Sequence, residues 1–348
     1  MGVRYIGSKV RVAEKIARIV GDPVPNASFV DGFCGTGPVA ESVAANGWSV
    51  RLNDHLLSSA TMAAARLIGE ADARFEALGG YANAVSTLNQ LDGIDGFIHR
   101  EYTPASIGHS GVERRYFSVP NGRRLDAVRS NIRLWHEAEL ISDTENQLLI
   151  ADLMVAANRV ANIAGTYGCF LRDWSPQALH ELELAPRRLR PGNTPVELHV
   201  GDVSEVPIAT DDVVYYDPPY TKRQYAAYYH LLETIAHGDE PEVGGITGLR
   251  PWKHLASDFC YRTRALRAIT DLMQKTPAKR VLLSYSSEGH VDRPSIEFAL
   301  CAIGKLTVHE LGPIGRYRPN RVANAGSGAV SEYIFELEKA STLVESLA

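Results

Sequence analysis

A chain of 348 residues, 45% hydrophobic and 22% charged, has the make-up of an ordinary soluble protein with room for one large α/β domain and a smaller second one. Four cysteines with no CxxC pair leave no disulfide framework or zinc cluster to expect and suit a reducing cytoplasm, and eleven histidines without HExxH spacing imply no metal. The formal charge of −5 rules out a generally basic surface, so a polyanionic partner has to be met by a local patch.

The first fifteen residues, MGVRYIGSKVRVAEK, hold no apolar run of the signal-peptide kind. No stretch approaches the roughly 18 apolar residues of a membrane span, so a cytoplasmic protein with no membrane association is expected. A helical pattern over Val10–Val20 is followed by a β-rich run, Ser28–Phe33. That run feeds a glycine loop, Asp31-Gly32-Phe33-Cys34-Gly35-Thr36-Gly37, and a helix over Pro38–Ala45. Glycine there lets the backbone turn tightly and come close to a ligand. The next strand, Trp48–Asn53, ends in Asn53-Asp54, and a carboxylate at that place can accept from both hydroxyls of a ribose. A helix cap is the other use for Asp54. No third glycine or arginine stands where a dinucleotide phosphate needs one, so a dehydrogenase is disfavoured.

From about Ala73 to Pro195 the chain is too long for one crossover. Much of it is helical in pattern, notably Asp143–Ile163, with Gly79-Gly80, Gly108–Gly111 and Asn121-Gly122 as punctuation. Residues 76–190 therefore read as an inserted, mostly helical domain, with 1–75 and 191–348 forming the scaffold. Between Arg100 and Arg133 seven arginines face only Glu101, Glu113 and Asp126. Arg114, Arg115, Arg123 and Arg124 are the candidates for reading a nucleic acid, against the plain alternative of a solvated face.

Strands resume at Val196–Val200, followed by Gly201-Asp202-Val203, whose acid can meet an adenine amine or simply make a turn. Val213–Asp217, helices over Gln224–His237 and Asp258–Gln274, and a strand at Arg280–Tyr285 come next. Leu306–Leu311 and Glu332–Leu337 are expected to close the sheet as an antiparallel edge pair. Strands alternating with amphipathic helices imply a mostly parallel sheet with helices on both faces.

The decisive run is Val213-Val214-Tyr215-Tyr216-Asp217-Pro218-Pro219-Tyr220. A strand meeting two prolines must stop, and Pro219 pushes Pro218 into an extended, rigid corner. At the carboxyl end of a strand, the Asp217 carboxylate and Pro218 carbonyl become two fixed acceptors. An aryl amine needs such a pair, because gripping both N–H bonds favours a pyramidal nitrogen and stabilises the charge that develops during alkylation. Tyr220 offers a flat face to an extruded base.

Arg4-Tyr5-Ile6-Gly7-Ser8-Lys9, then Asp31 to Gly37, then Asp217 to Tyr220 together resemble the DNA adenine methylase family. Within it the likeness is to methyltransferases of type II restriction–modification systems. It extends over Lys222-Arg223-Gln224-Tyr225, Tyr229 to Glu233, Ser284 to Gly289 and Glu332 to Phe335, and fades between about 76 and 190. The resemblance implies a Rossmann-like fold with a seven-stranded sheet and S-adenosylmethionine as cofactor. Tyr5, Gly7 and Lys9 would lie along its methionine part. Asp31, Phe33, Gly35 and Gly37 would form its loop, with Asp54, Asp202 and Val203 at the adenosine. Asp217, Pro218 and Tyr220 would be catalytic, and Pro219, Lys222 and Arg223 would face the target. Arg316, Arg318 and Arg321 would approach the target strand. The expected function is transfer of methyl to the N6 amine of a flipped adenine in double-stranded DNA, by a monomer acting apart from a cognate restriction endonuclease. An RNA adenine methyltransferase and a non-catalytic DNA-binding subunit are the alternatives. The first is disfavoured by an insert with no recognisable RNA module, the second by the intact loop and corner.

Overall fold

The computed structural model describes residues 5–314 and 330–339. Within them β1 (Ser28–Asp31), β2 (Ser49–Asp54), β3 (Val196–Val200), β4 (Val213–Tyr216), β5 (Arg280–Ser286), β6 (Gly304–Ile314) and β7 (Val330–Lys339) form one sheet in the order β3-β2-β1-β4-β5-β7-β6. The first five strands run parallel, and β7 is antiparallel to both β5 and β6. The expected mostly parallel sheet with an antiparallel edge pair is thus what the chain builds.

Central strands are apolar through their middles because both faces are covered. Phe29, Val213, Tyr215 and Leu282 point to one face, onto the helices Ala13–Val20 and Pro38–Ala44. Val30, Val214, Tyr216 and Leu283 point to the other, onto Ala265–Lys275 and Arg293–Cys301. Each such side chain contributes about 1.5–3 kcal/mol on burial, and the alternation follows from the two-residue period of a strand.

A third apolar cluster lies off the sheet. Phe97, Leu125, Leu149 and Leu153, from the helices Phe97–Tyr102, Val119–Glu137 and Asp143–Val160, pack with Met62, Leu231, Leu232 and Ile235. The helix Leu57–Ala64 sits between this cluster and the sheet core and buries every residue after Leu57, which its small side chains permit. Its free N–H groups meet the Glu233 carboxylate, which accepts from Leu57 N and Ser58 N, both at 3.0 Å, and from Ser58 Oγ at 2.7 Å. A carboxylate at a helix N-terminus satisfies otherwise orphaned donors and complements the helix dipole. The chain leaves the sheet and returns to it at one place, where Gly69 and Arg190 form a parallel bridge.

Two helical segments depart most from expectation. The pattern over Gln224–His237 breaks into helices Tyr225–Tyr228 and His230–His237, because Tyr229 turns out of helical geometry and its hydroxyl accepts from Ile6 N at 2.7 Å. The run from Asp258 starts as a single 3₁₀ turn, and the helix begins only at Ala265. Among the described residues no helix is long and apolar enough to cross a membrane, and no group of His, Cys, Asp or Glu could hold a metal ion.

Candidate active site

Strand order reverses between β1, which continues to β2 and β3, and β4, which continues to β5. Loops leaving two such strands diverge, and the crevice at their carboxyl ends is where open α/β sheets take ligands. A cleft of about 890 Å³, open to solvent, lies there. Its walls include Tyr5, Gly7, Lys9, Asp31, Phe33, Gly35, Asp54, Asp217, Pro218, Pro219 and Tyr220, so the N-terminal segment, the glycine loop and the proline corner do converge.

The loop after β1 is shaped by its neighbours. Cys34 N donates to Asn53 O at 2.9 Å, and Asn53 Nδ2 donates to Gly32 O at 3.0 Å, tying the loop to the end of β2. Gly35 and Gly37 have φ of 52° and 77°, and a Cβ on Gly37 would lie 2.7 Å from Ala63 Cα. Tyr5 covers Gly35; its hydroxyl bonds Ser59 Oγ at 2.9 Å and its ring stacks on Tyr229 with centroids 4.6 Å apart.

Asp54 accepts from Gly35 N at 2.9 Å through Oδ2 and from Leu56 N at 3.0 Å through Oδ1. It therefore braces the glycine loop and the start of the next helix, and a carboxylate so used still has lone pairs for two hydroxyls. Burial pushes its pKa up to about 6, against the pull of the Leu56 and Gly35 N–H groups. Asp31 is buried, and its Oδ1 has no hydrogen-bond partner among the described residues. Burial, and then the charges of Asp217 and Asp54, raise its pKa well above the carboxylate range. An unpartnered buried carboxylate oxygen on the cleft wall is suited to a cation, such as the ammonium of an amino-acid moiety.

Also on the cleft wall, Lys9, only 5% exposed, reaches between two carboxylates. Its Nζ lies 3.0 Å from Asp217 Oδ1 and 2.6 Å from Glu332 Oε1. Ser284 Oγ donates to the same Glu332 oxygen at 2.9 Å. Burial lowers the Lys9 pKa, but Asp217 and Glu332 more than offset it and hold the ammonium charged. For Asp217 burial is the largest influence and raises the pKa to about 6, with Lys9 lowering it and Glu332 raising it. Lys9 Nζ also lies 5.3 Å from the centroid of Tyr220, whose ring meets Tyr285 edge-on at 5.8 Å.

Other expected site residues lie elsewhere. Asp202 is exposed and accepts from Ser204 N and Oγ at 2.8 and 2.6 Å, making the turn of the plain reading. Val203 packs in the sheet core against Gly32 rather than lining the cleft. Lys222 and Arg223 are exposed beside the corner. Arg114, expected at a DNA surface, is instead 2% exposed: it pairs with Glu101 at 2.9 Å and donates to the Gly245 and Ile246 carbonyls. It bolts the 244–249 turn to the helical layer, because a buried guanidinium needs acceptors for its donors. Arg124 is half-buried and donates to Asn89 O. Arg115, held by Glu113 and Arg172 O, and Arg123, paired with Asp95 at 2.8 Å, keep surface positions. Arg316, Arg318 and Arg321 lie outside the described residues. Sequence reading did not single out Glu332 and Ser284 beside the site, or Glu233 at the helix start, although each lies in a run that carries the family resemblance; no local spacing ties a lone polar residue to the distant groups it meets.

The sequence pattern of D12 class N6 adenine-specific DNA methyltransferases matches residues 5–291. The chain belongs to this family. The match takes in both the loop after β1 and the proline corner. Among similar proteins, type II methyltransferase M.FokI of Planomicrobium okeanokoites is 32% identical over 99% of this chain and 54% of its own length. Modification methylase StsI of Streptococcus sanguinis is 32% identical over 84% of this chain and 45% of its own. Type II methyltransferase M.NlaIII of Neisseria lactamica is 30% identical over 97% of this chain and 99% of its own. The chain thus spans about half the length of the first two relatives and nearly all of the third.

Proposed function

We propose that this D12 class chain transfers a methyl group from S-adenosylmethionine to the N6 amine of an adenine flipped out of duplex DNA, as the modification arm of a restriction–modification system. The observation that carries the reading is the meeting, in one cleft, of the glycine loop after β1 with the Asp217-Pro218-Pro219-Tyr220 corner after β4. On this reading Asp31 Oδ1 takes the cofactor's ammonium, Asp54 its ribose, and Tyr5 closes over Gly35. When bound, the cofactor supplies a methyl group made electrophilic by its sulfonium. Asp217 and the Pro218 carbonyl grip the two N–H bonds of the amine and stabilise the positive nitrogen, while Tyr220, with Lys9 on one face, stacks the base on the other. Because Asp217 needs only to accept, the proton can leave to water after transfer.

The names of the relatives support a modification role, and the cognate endonuclease belongs to the same proposal. Target choice is assigned to residues 76–190, with the surface cations Arg115 and Arg123 to examine there and the exposed Lys222 and Arg223 beside the corner. The test is base-resolution mapping of modified adenines in DNA from cells expressing the chain, together with transfer of labelled methyl by the purified protein to duplex DNA, single-stranded DNA and RNA. N6-methyladenine at one recurring duplex sequence is expected. Labelling of RNA alone, or cofactor binding with no transfer, would refute the reading.

A further inference from the structure

We propose that Glu332, fixed by Ser284, is a positioning residue: it holds the Lys9 ammonium away from the hydrogen-bonding direction of Asp217, so that Asp217 meets the target amine as an unengaged acceptor. The inference rests on the methyl-transfer reading above and adds a residue to it. Its basis is an asymmetry in how Lys9 uses its two neighbours. Lys9 Nζ makes a buried hydrogen bond to Glu332 Oε1 at 2.6 Å, whereas its contact with Asp217 Oδ1 is longer, at 3.0 Å, and lies off the hydrogen-bonding direction.

Lys9 is useful to Asp217 as a charge and harmful to it as a donor. A carboxylate in a dry cleft needs a nearby cation to stay ionised. Yet an ammonium that donates to it directly competes with the amine for the same lone pairs. A buried ammonium must donate somewhere. Glu332 supplies that acceptor, and Ser284 Oγ, donating to the same oxygen, fixes its direction. Glu332 can do this because β7 is antiparallel to β5: its beginning lies beside the ends of β4 and β5, where Glu332 pairs with Ser286. The groups facing Asp217 are Lys9, Glu332, Asp31, Ser284 and the phenols of Tyr215, Tyr220 and Tyr225. Glu332 raises the Asp217 pKa and Lys9 lowers it. Removing the Glu332 charge must therefore move the ionisation of Asp217 to lower pH even as it lets Lys9 block the acceptor.

The experiment measures kcat against pH, with unmethylated genomic DNA and saturating S-adenosylmethionine, for the native chain, Glu332→Gln, Ser284→Ala and Lys9→Met/Glu332→Gln. Glu332→Gln keeps the shape of the side chain and is expected to lose about tenfold in kcat, with cofactor affinity intact and the acid limb displaced to lower pH. Ser284→Ala loosens Glu332 and should lower kcat by less, while its acid limb, relieved of a group that itself lowers the Asp217 pKa, should move up rather than down; a lowered kcat with cofactor affinity intact carries the test if Glu332→Gln fails to fold. In the double variant the competing donor is gone, so part of the rate should return and the acid limb should move back up. Native kcat in Glu332→Gln, or a reduced kcat with the acid limb unmoved, would overturn the proposal. The same displacement can be read without turnover in the 13C carboxyl signal of Asp217. Seen there in a chain that transfers no methyl group, it would retire the methyl-transfer reading while keeping the Lys9–Glu332–Asp217 coupling. An unmoved midpoint would retire the coupling itself.

Discussion

Replacing Gly37 by alanine tests how the glycine loop after β1 is seated, and Gly238 provides a matched reference. Both glycines adopt the left-handed conformation at a helix end, Gly37 with φ 77° and ψ 18° and Gly238 with φ 65° and ψ 15°. An L side chain in that conformation costs about 1–2 kcal/mol, so this part of the penalty is common to both. Their surroundings differ. A Cβ on Gly238 meets nothing within 4 Å, whereas one on Gly37 would lie 2.7 Å from Ala63 Cα, 2.9 Å from Ala63 Cβ and 3.1 Å from Ala63 O. Those atoms belong to the buried helix Leu57–Ala64, pinned at its start by Glu233, so they cannot yield as a flexible side chain would. Forcing a methyl group into packed backbone costs a further 1–3 kcal/mol or so. Gly37→Ala should therefore destabilise by about 2–5 kcal/mol and Gly238→Ala by about 1–2. Equilibrium urea unfolding compares them through the midpoint at constant slope. Since the same helix carries Ser59, the partner of Tyr5, Gly37→Ala should also weaken cofactor binding in calorimetry, and Gly238→Ala should not. Equal losses of stability in the two variants would refute the steric argument.

Asp217→Ala should reduce methyl transfer by about a hundredfold or more while S-adenosylmethionine affinity, measured by calorimetry, stays near native. Because Asp217 stabilises the developing positive nitrogen by charge only when ionised and burial holds its pKa up to about 6, kcat should be level above that pH and fall as pH drops through it. Tyr220→Ala should weaken base capture by about 1–3 kcal/mol, read as 2-aminopurine fluorescence at the target position, whereas Tyr220→Phe should leave it nearly unchanged. Arg114→Ala should destabilise the fold by about 3 kcal/mol, because it strands Glu101 Oε2 and the carbonyls of the 244–249 turn, without altering the salt dependence of DNA binding. Arg123→Ala should do the reverse, lowering the salt slope of DNA binding with little loss of stability.

The glycine loop and the proline corner were legible in the residues themselves, because both are backbone constraints. A glycine that must turn and two prolines that must end a strand announce themselves locally, and apolar runs of strand length point to a sheet covered on both faces. The placing of Asp217 at a strand end was readable for the same reason. Side-chain partners were not. Nothing in the spacing of Lys9, Ser284 and Glu332 brings together residues 323 positions apart; the antiparallel return of β7 does so, and a strand's direction is set by tertiary packing. The arginines teach the same lesson from the other side. Composition marks Arg114 and Arg123 alike as basic, but only the folded layers decide that one fills a buried ring of carbonyls and the other meets solvent. Local sequence settles what the backbone can do at each point. Which charge neutralises which carboxylate depends on desolvation, and desolvation exists only once distant segments have packed.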